Sequence, residues 1–197
     1  ALDRFSFTAF YSRFVLPFGL RLVLRKGLEE SGEASGYLER RGFGRGLIES
    51  YSVGFAGPSW DSLYRAATGA GISKEMLLEL GLIMRSRGTT GFRDYFRNRI
   101  MFPICNTAGR VVGFAGRVMD DSEPKYLNSM ENPIYHKGKL LYGLDKTKDD
   151  IRKSRTAITV EGYVDHLMLW QSGITNICAV CGTSLTEDQA RLLARYA

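Results

Sequence analysis

The chain has 197 residues, 44% of them apolar, and carries 27 Lys and Arg against 21 Asp and Glu, a formal net charge of +6. That apolar content supports one large domain or two small ones, and no run of about 18 apolar residues marks a membrane span. Three cysteines are too few, and too odd, for a disulfide scaffold and point to a reducing compartment; the basic balance makes an anionic partner plausible, nucleic acid before a membrane surface.

Residues 1–50 read as mostly helical, with breaks expected at Gly32 and Gly36. The apolar stretch Phe14–Leu24 is interrupted by Pro17, Gly19 and Arg21, which suits a core-facing segment better than a leader. Glu33–Arg41 stops at a basic pair before Gly42, Gly46–Ser52 resembles a short helix, and Gly54–Ser59 is rich in turn residues. Trp60–Thr68 and Lys74–Glu79 complete the helical part, the latter capped by Ser73 and followed by Gly81.

From Phe96 the pattern changes to strands. Ile100–Cys105, the turn Asn106–Gly109 and Val111–Phe114 form a hairpin signal. Arg97 and Arg99 frame it on one side, Arg110 and Arg117 on the other. Lys125, Tyr126, Asn128, Tyr135 and Lys137 follow in loop-like sequence; such interleaving suits a surface that tracks phosphates, and equally a solvated charged face.

Lys146–Arg155 is a polar, helix-compatible connector. After it, Thr156–Val160 alternates as a strand, Glu161 and Gly162 make the turn, and Tyr163–Gln171 carries a helical pattern closed by Gly173. Glu161 therefore stands at the carboxyl end of a strand, where open α/β sheets place ligands, and Asp165 follows in the first helical turn. Two carboxylates there suit a hard cation such as Mg²⁺. They equally suit a helix cap and a favourable dipole contact, and the residues alone leave both open. Ile174–Val180 reads as a buried strand, and Thr186-x-x-Gln189 is a capping box opening the last helix. The order β–α–β–α implies a parallel pair with a right-handed crossover. Cys178 and Cys181 form a CxxC, but no second pair completes a zinc site and a strand turns the two to opposite faces, so both read as core residues.

FRNRIMFPI (96–104), GRVVGFAGRV (109–118), PKYLNS (124–129), HKGKLLYGL (136–144) and VEGYVD (160–165) occur in an order that resembles the RNA polymerase core of bacterial DnaG-type primases. YLERRG (37–42), SVGFAGPSWDSL (52–63) and ELGLI (79–83) resemble its helical lead-in. The resemblance covers residues 35–197 and implies an α/β protein: an α+β basic subdomain over 1–150, then a partial parallel-sheet Toprim βαβα unit over 151–197. It implies DNA-templated RNA primer synthesis in replication, with Glu161 as the catalytic and metal-binding glutamate and Asp165 as its acidic partner. Arg41, Arg97, Arg99, Arg117, Lys125, Asn128 and Lys137 would hold single-stranded template and ribonucleoside triphosphate, with Mg²⁺ or Mn²⁺ as cofactor in the complete protein and no zinc in this chain. A cytoplasmic protein at the replication fork is implied, with a replicative helicase engaged through regions outside the chain. The family's further Toprim acids lie beyond Ala197, so the chain reads as a piece of a primase, inactive alone. A single-strand-binding module without chemistry, or another Toprim enzyme such as a topoisomerase or nuclease, are the alternatives. Tyr95 stands where many members carry Arg, Met130 where Pro is usual, and the atypical His166 reads as a helix-surface residue.

Overall fold

The computed structural model describes residues 16–197 except 87, 89, 133, 181 and 183. The helical expectation for residues 1–15 and the core reading of Cys181 lie outside the described residues. Among those described, no helix is long and apolar enough to cross a membrane.

Helices α1 (Leu16–Glu30), α2 (Gly32–Arg40) and α3 (Arg45–Tyr51) open the fold. Ser31 separates the first two by capping α2, its hydroxyl accepting from Ala34 N at 3.2 Å. Gly36, an expected break, lies inside α2. A short strand β1 (Gly54–Ala56) follows where turns were expected. It forms because α1 lies directly on it: a Cβ on Gly54 would sit 2.7 Å from Leu24 Cβ, and one on Gly27 would sit 2.6 Å from Phe55 O. Only glycine permits that approach.

Helices α4 (Ser62–Gly69) and α5 (Lys74–Glu79) precede a hairpin of β2 (Ile83–Arg85) and β3 (Phe92–Asp94). Asp61, at the head of α4, makes no capping bond. Asp94 caps the helix from β3 instead, accepting from Leu63 N at 2.7 Å and Tyr64 N at 2.9 Å. Burial pushes the Asp94 carboxyl up against the pull of these bonds.

The centre is a four-stranded antiparallel sheet, ordered β1, β4 (Arg99–Cys105), β5 (Val111–Val118), β6 (Tyr126–Asn128). The expected second strand ends at Phe114; the observed one runs on to Val118, because pairing with β4 and β6 continues it. Ile100, Phe102 and Ile104 of β4 enter one apolar cluster with Tyr37, Leu38 and Tyr163, while Met101 enters another with Leu24, Leu82 and Phe114. This period of two fills both faces of the sheet. Pro103 is tolerated because β1 pairs only with Arg99–Met101, leaving β4 one neighbour at that point.

A 3₁₀ turn (Lys137–Lys139) and α6 (Leu144–Ser154) lead to β7 (Ile158–Val160), α7 (Tyr163–Gln171), β8 (Ile177–Ala179) and α8 (Glu187–Leu193). Strands β7 and β8 are parallel, from Ile158↔Ile177 to Val160↔Ala179, both shorter than the sequence suggests. Residue 150 falls within α6. Cys178 is buried in β8, and burial pushes its thiol up to about 11.

His166 is not on the helix surface. It is fully buried, its Nε2 2.8 Å from Tyr51 Oη, and burial holds its pKa down to about 4, so the ring is neutral. The room comes from Gly143, at φ +79°, where a Cβ would overlap the imidazole. Gly143→Ala should therefore combine left-handed strain with a clash and cost about 3 kcal/mol or more. Gly109 has φ +74° with open space around it, and Gly109→Ala should cost only about 1 kcal/mol. Urea unfolding of both variants checks this; equal losses would show that the backbone angle alone matters at Gly143.

Candidate nucleic-acid and metal site

The turn from β7 to α7 carries both carboxylates. Glu161 is exposed at the strand end. The N-cap of α7 is Gly162, with no side-chain capping bond, so Glu161 does not cap the helix. Asp165 is exposed in the first helical turn and folds back over the glycine: a Cβ at Gly162 would lie 2.6 Å from its Oδ2. Glycine at 162 therefore lets the Asp165 carboxylate lie against the turn that presents Glu161. Among the described residues, neither carboxylate is engaged in a hydrogen bond or an ion pair.

Glu161 opens into a cleft of about 610 Å³ that Tyr126, Asn128, Lys137, Tyr163 and Gln189 also line. Strand β6 supplies Tyr126 and Asn128, and the 3₁₀ turn supplies Lys137. Tyr163, the first residue of α7, ties the acidic turn to the sheet by donating to Asn128 Oδ1 at 2.6 Å. Tyr126 is the junction of the charges. Burial pushes its hydroxyl up, with Arg117, Asp165 and Arg41 all acting on it electrostatically.

Arg117 is 6% exposed; it donates to Tyr37 Oη and lies 5.6 Å from the Tyr126 ring centroid. Arg41 lies 5.5 Å from the Tyr37 ring and is itself exposed. Two guanidiniums thus share the Tyr37 ring, and Arg117 also meets Tyr126, an arrangement that holds positive charge beside the cleft.

Arg97 and Arg99 stand elsewhere. Arg97 lies 3.2 Å over the Trp60 ring and Arg93 5.4 Å from it, and Trp60 is 57% exposed. Arg97 Nε and Nη1 are buried without a hydrogen-bond partner. The stack is fixed from below, since Asp94 N donates to Trp60 O at 2.7 Å. Arg99 is buried and donates through Nη1 to Pro124 O at 2.8 Å, with Gly116 O and Lys125 O within 3.5 Å. It braces the loop that presents the exposed Lys125. Of the residues singled out in the sequence, Glu161, Asn128 and Lys137 line one cleft; Asp165, Arg41 and Arg117 act on Tyr126, which lines it too, while Arg97 and Arg99 make their contacts elsewhere. Two features lie outside the sequence expectations, the stack of Arg97 on Trp60 and Tyr163 as a link. A tryptophan followed by an arginine-rich strand region was the available signal for the first, and none pointed to the second.

The model of the DNA primase catalytic core, N-terminal domain, matches residues 24–148, and that of the Toprim domain matches residues 155–197. The chain is similar to the DNA primase of Halalkalibacterium halodurans, 46% identical over 171 residues, which is 86% of this chain and 28% of that protein. Among solved structures, it is similar to the Aquifex aeolicus primase zinc-binding and RNA polymerase domains. There the TM-score is 0.90 at 33% identity, over 100% of this chain and 48% of that one. A DnaG primase catalytic domain bound to ssDNA gives 0.85 at 36% identity, over 97% and 62%. The chain spans under a third of the length of the curated relatives it matches. With the ordered motifs, the central antiparallel sheet and the parallel β7–β8 pair all in agreement, the chain belongs to the DNA primase catalytic-core family.

Proposed function

We propose that this chain holds single-stranded DNA template and ribonucleoside triphosphate beside a divalent-metal site, as part of a nucleotidyltransferase that makes RNA primers in DNA replication. The observation that carries the reading is the one cleft lined by Glu161, Asn128 and Lys137, with Arg41 and Arg117 gathered next to it around Tyr126. Unpaired carboxylates beside unpaired cations suit a ligand that is itself anionic and metal-bound, which describes a nucleoside triphosphate. A solved DnaG primase catalytic domain bound to ssDNA supports a DNA template as the partner. We keep a division near residue 150 as a functional one, with basic residues before it and the carboxylates after it.

Glu161 and Asp165 fit a hard divalent ion. Both are exposed carboxylates with free oxygens. Carboxylate oxygens are the ligands Mg²⁺ prefers, and Mn²⁺ shares the preference for oxygen ligands. When bound, such an ion supplies charge neutralisation at the triphosphate and alignment with an attacking 3′-hydroxyl. Lys137 then serves as a compact charge for phosphate oxygens inside the cleft, and Lys125 as one at its rim. Asn128, its Oδ1 held by Tyr163, keeps its amide NH₂ as a donor toward the bound molecule. Arg97 on Trp60 offers a cation and an aromatic face to a passing strand.

Glu161→Gln in the full-length protein should lower primer synthesis at least about a hundredfold, since a misplaced ion costs several kcal/mol of barrier. Template affinity and melting temperature should barely change, because Glu161 caps nothing. Primer synthesis paired with a thermal melt tests this, and a Gln variant that still primes at near wild-type rate ends the metal assignment.

Template binding should be salt-dependent, and the two residues of the Lys125 loop should separate. Lys125→Ala should reduce the log–log salt slope by roughly 0.7 for one lost phosphate contact, with stability unchanged. Arg99→Ala should instead lower stability by about 2 kcal/mol, because it removes a buried brace on the Pro124 carbonyl. Titrations of single-stranded DNA at several salt concentrations, with urea unfolding alongside, check both; an unchanged slope for Lys125→Ala would make that lysine plain solvated surface.

A further inference from the structure

We propose that Gln189 and Glu131 are positioning residues for Lys137, clamping the turn that carries it from opposite sides so that its ammonium stays in the cleft Glu161 also lines. The inference rests on the reading of Lys137 as a triphosphate contact. A three-residue 3₁₀ turn has little stability of its own, yet side chains from outside the turn bond Lys137 N, Lys137 O and Gly138 O. Lys137 N donates to Glu131 Oε1 at 2.8 Å. Gln189 Nε2, with two hydrogens, donates to Leu140 O at 2.7 Å and Val180 O at 3.1 Å, and Lys137 O at 3.3 Å shares one of them as a third acceptor. Thr186 Oγ1 donates to Gly138 O at 2.6 Å.

Capping α8 asks only for the other end of the glutamine. Gln189 Oε1 accepts from Thr186 N at 3.0 Å, which completes the capping box. A glutamine serving that purpose alone would leave its amide nitrogen in water. Gln189 is instead 1% exposed, with Nε2 turned to carbonyls about fifty residues earlier in the chain and to the end of β8. Lys137 is the residue this arrangement aims. Its Cε lies 3.9 Å from where a Cβ on Gly182 would sit, so the side chain reaches Gly182, and both residues line the cleft. Glu131 is exposed and sits on the other side of the turn, also paired with His136 at 3.0 Å. A lysine fixed at its backbone from two sides gives up less freedom when phosphate binds, and that advantage should appear in nucleotide affinity rather than in the chemical step.

The test is a pair of double-mutant cycles in the full-length protein, reading KM for nucleotide and kcat for primer synthesis, with melting temperatures recorded. Lys137→Ala and Gln189→Met should each raise KM about tenfold with little change in kcat, and the double variant should be no worse than Lys137→Ala alone. Glu131→Ala, at an exposed position that spares the core, should raise KM about threefold and add nothing to Lys137→Ala. Glu131→Gln keeps the acceptor and should restore the wild-type KM. If Gln189→Met does not fold, the Glu131 cycle decides alone. Additive effects, or an unchanged KM in the Gln189 and Glu131 variants where Lys137→Ala raises it, would overturn the inference and spare the triphosphate reading. An unchanged KM in Lys137→Ala would overturn that reading, and the inference with it.

Discussion

Register across β4, β5 and β6 decides where the charges of this protein stand. Arg117 is paired with Ile100 on one side and Tyr126 on the other, in a ladder that runs from Arg99↔Val118 to Cys105↔Val111. Because side chains alternate faces, a slip of one residue would turn Arg117 away from Tyr37 and Tyr126, and would send Ile100 and Phe102 to the wrong cluster. Apolar side chains packed on both faces hold the register, so the core and the basic side of the cleft depend on one set of pairings. The acidic side has a separate origin, in the β7–α7 turn, and must be brought to the sheet.

Helix α7 does this with three links. Tyr163 reaches Asn128 on β6, His166 meets Tyr51 of α3, and Gln171 bonds Gly42 O at 2.8 Å and Gly44 N at 2.7 Å. Apolar packing supports them: the Tyr163 ring is stacked with Phe102 at 6.0 Å and meets Tyr142 edge-on at 4.9 Å. The helix that carries Asp165 is thus fastened at its start to β6, in its middle to α3 and at its end to the segment that follows Arg41. Independent hinging of the two sides of the cleft would break the buried Tyr51–His166 hydrogen bond, costly to leave unmade, together with the Tyr163–Asn128 bond.

The parts legible in sequence were those with a local cause. The β4–β5 hairpin declares itself through apolar alternation and a turn at Asn106–Gly109, and the β7–α7 turn through a glycine between strand and helix patterns. The three-residue strands β1, β2, β3 and β6 are too short to show a period of their own, and each depends on pairing with its neighbour, for β1 a partner more than forty residues away. His166 was read outward because a polar residue on an amphipathic helix normally faces water; the space left by Gly143 overrides that. The position of Glu161 and Asp165 at a strand end was legible but left their role open, whereas Arg97 and Arg99 could not be told apart by spacing, although one lies on Trp60 and the other is spent on carbonyls. Gln189 was legible as a cap, but its second set of bonds joins segments that no local pattern relates. The functional reading itself came from the order of motifs rather than from any one of them.

The capping of α4 by Asp94 also bears on how the chain is made. The cap arrives about thirty residues after the helix it completes, since Leu63 and Asp94 are 31 apart, and at ~5–20 residues per second of synthesis that is a delay of a few seconds. Strand β1 waits longer still, for β4 to pair with it. A ribosome therefore releases the helical lead-in before it has its partners, and the leading half of this fold closes only once β3 and β4 have emerged.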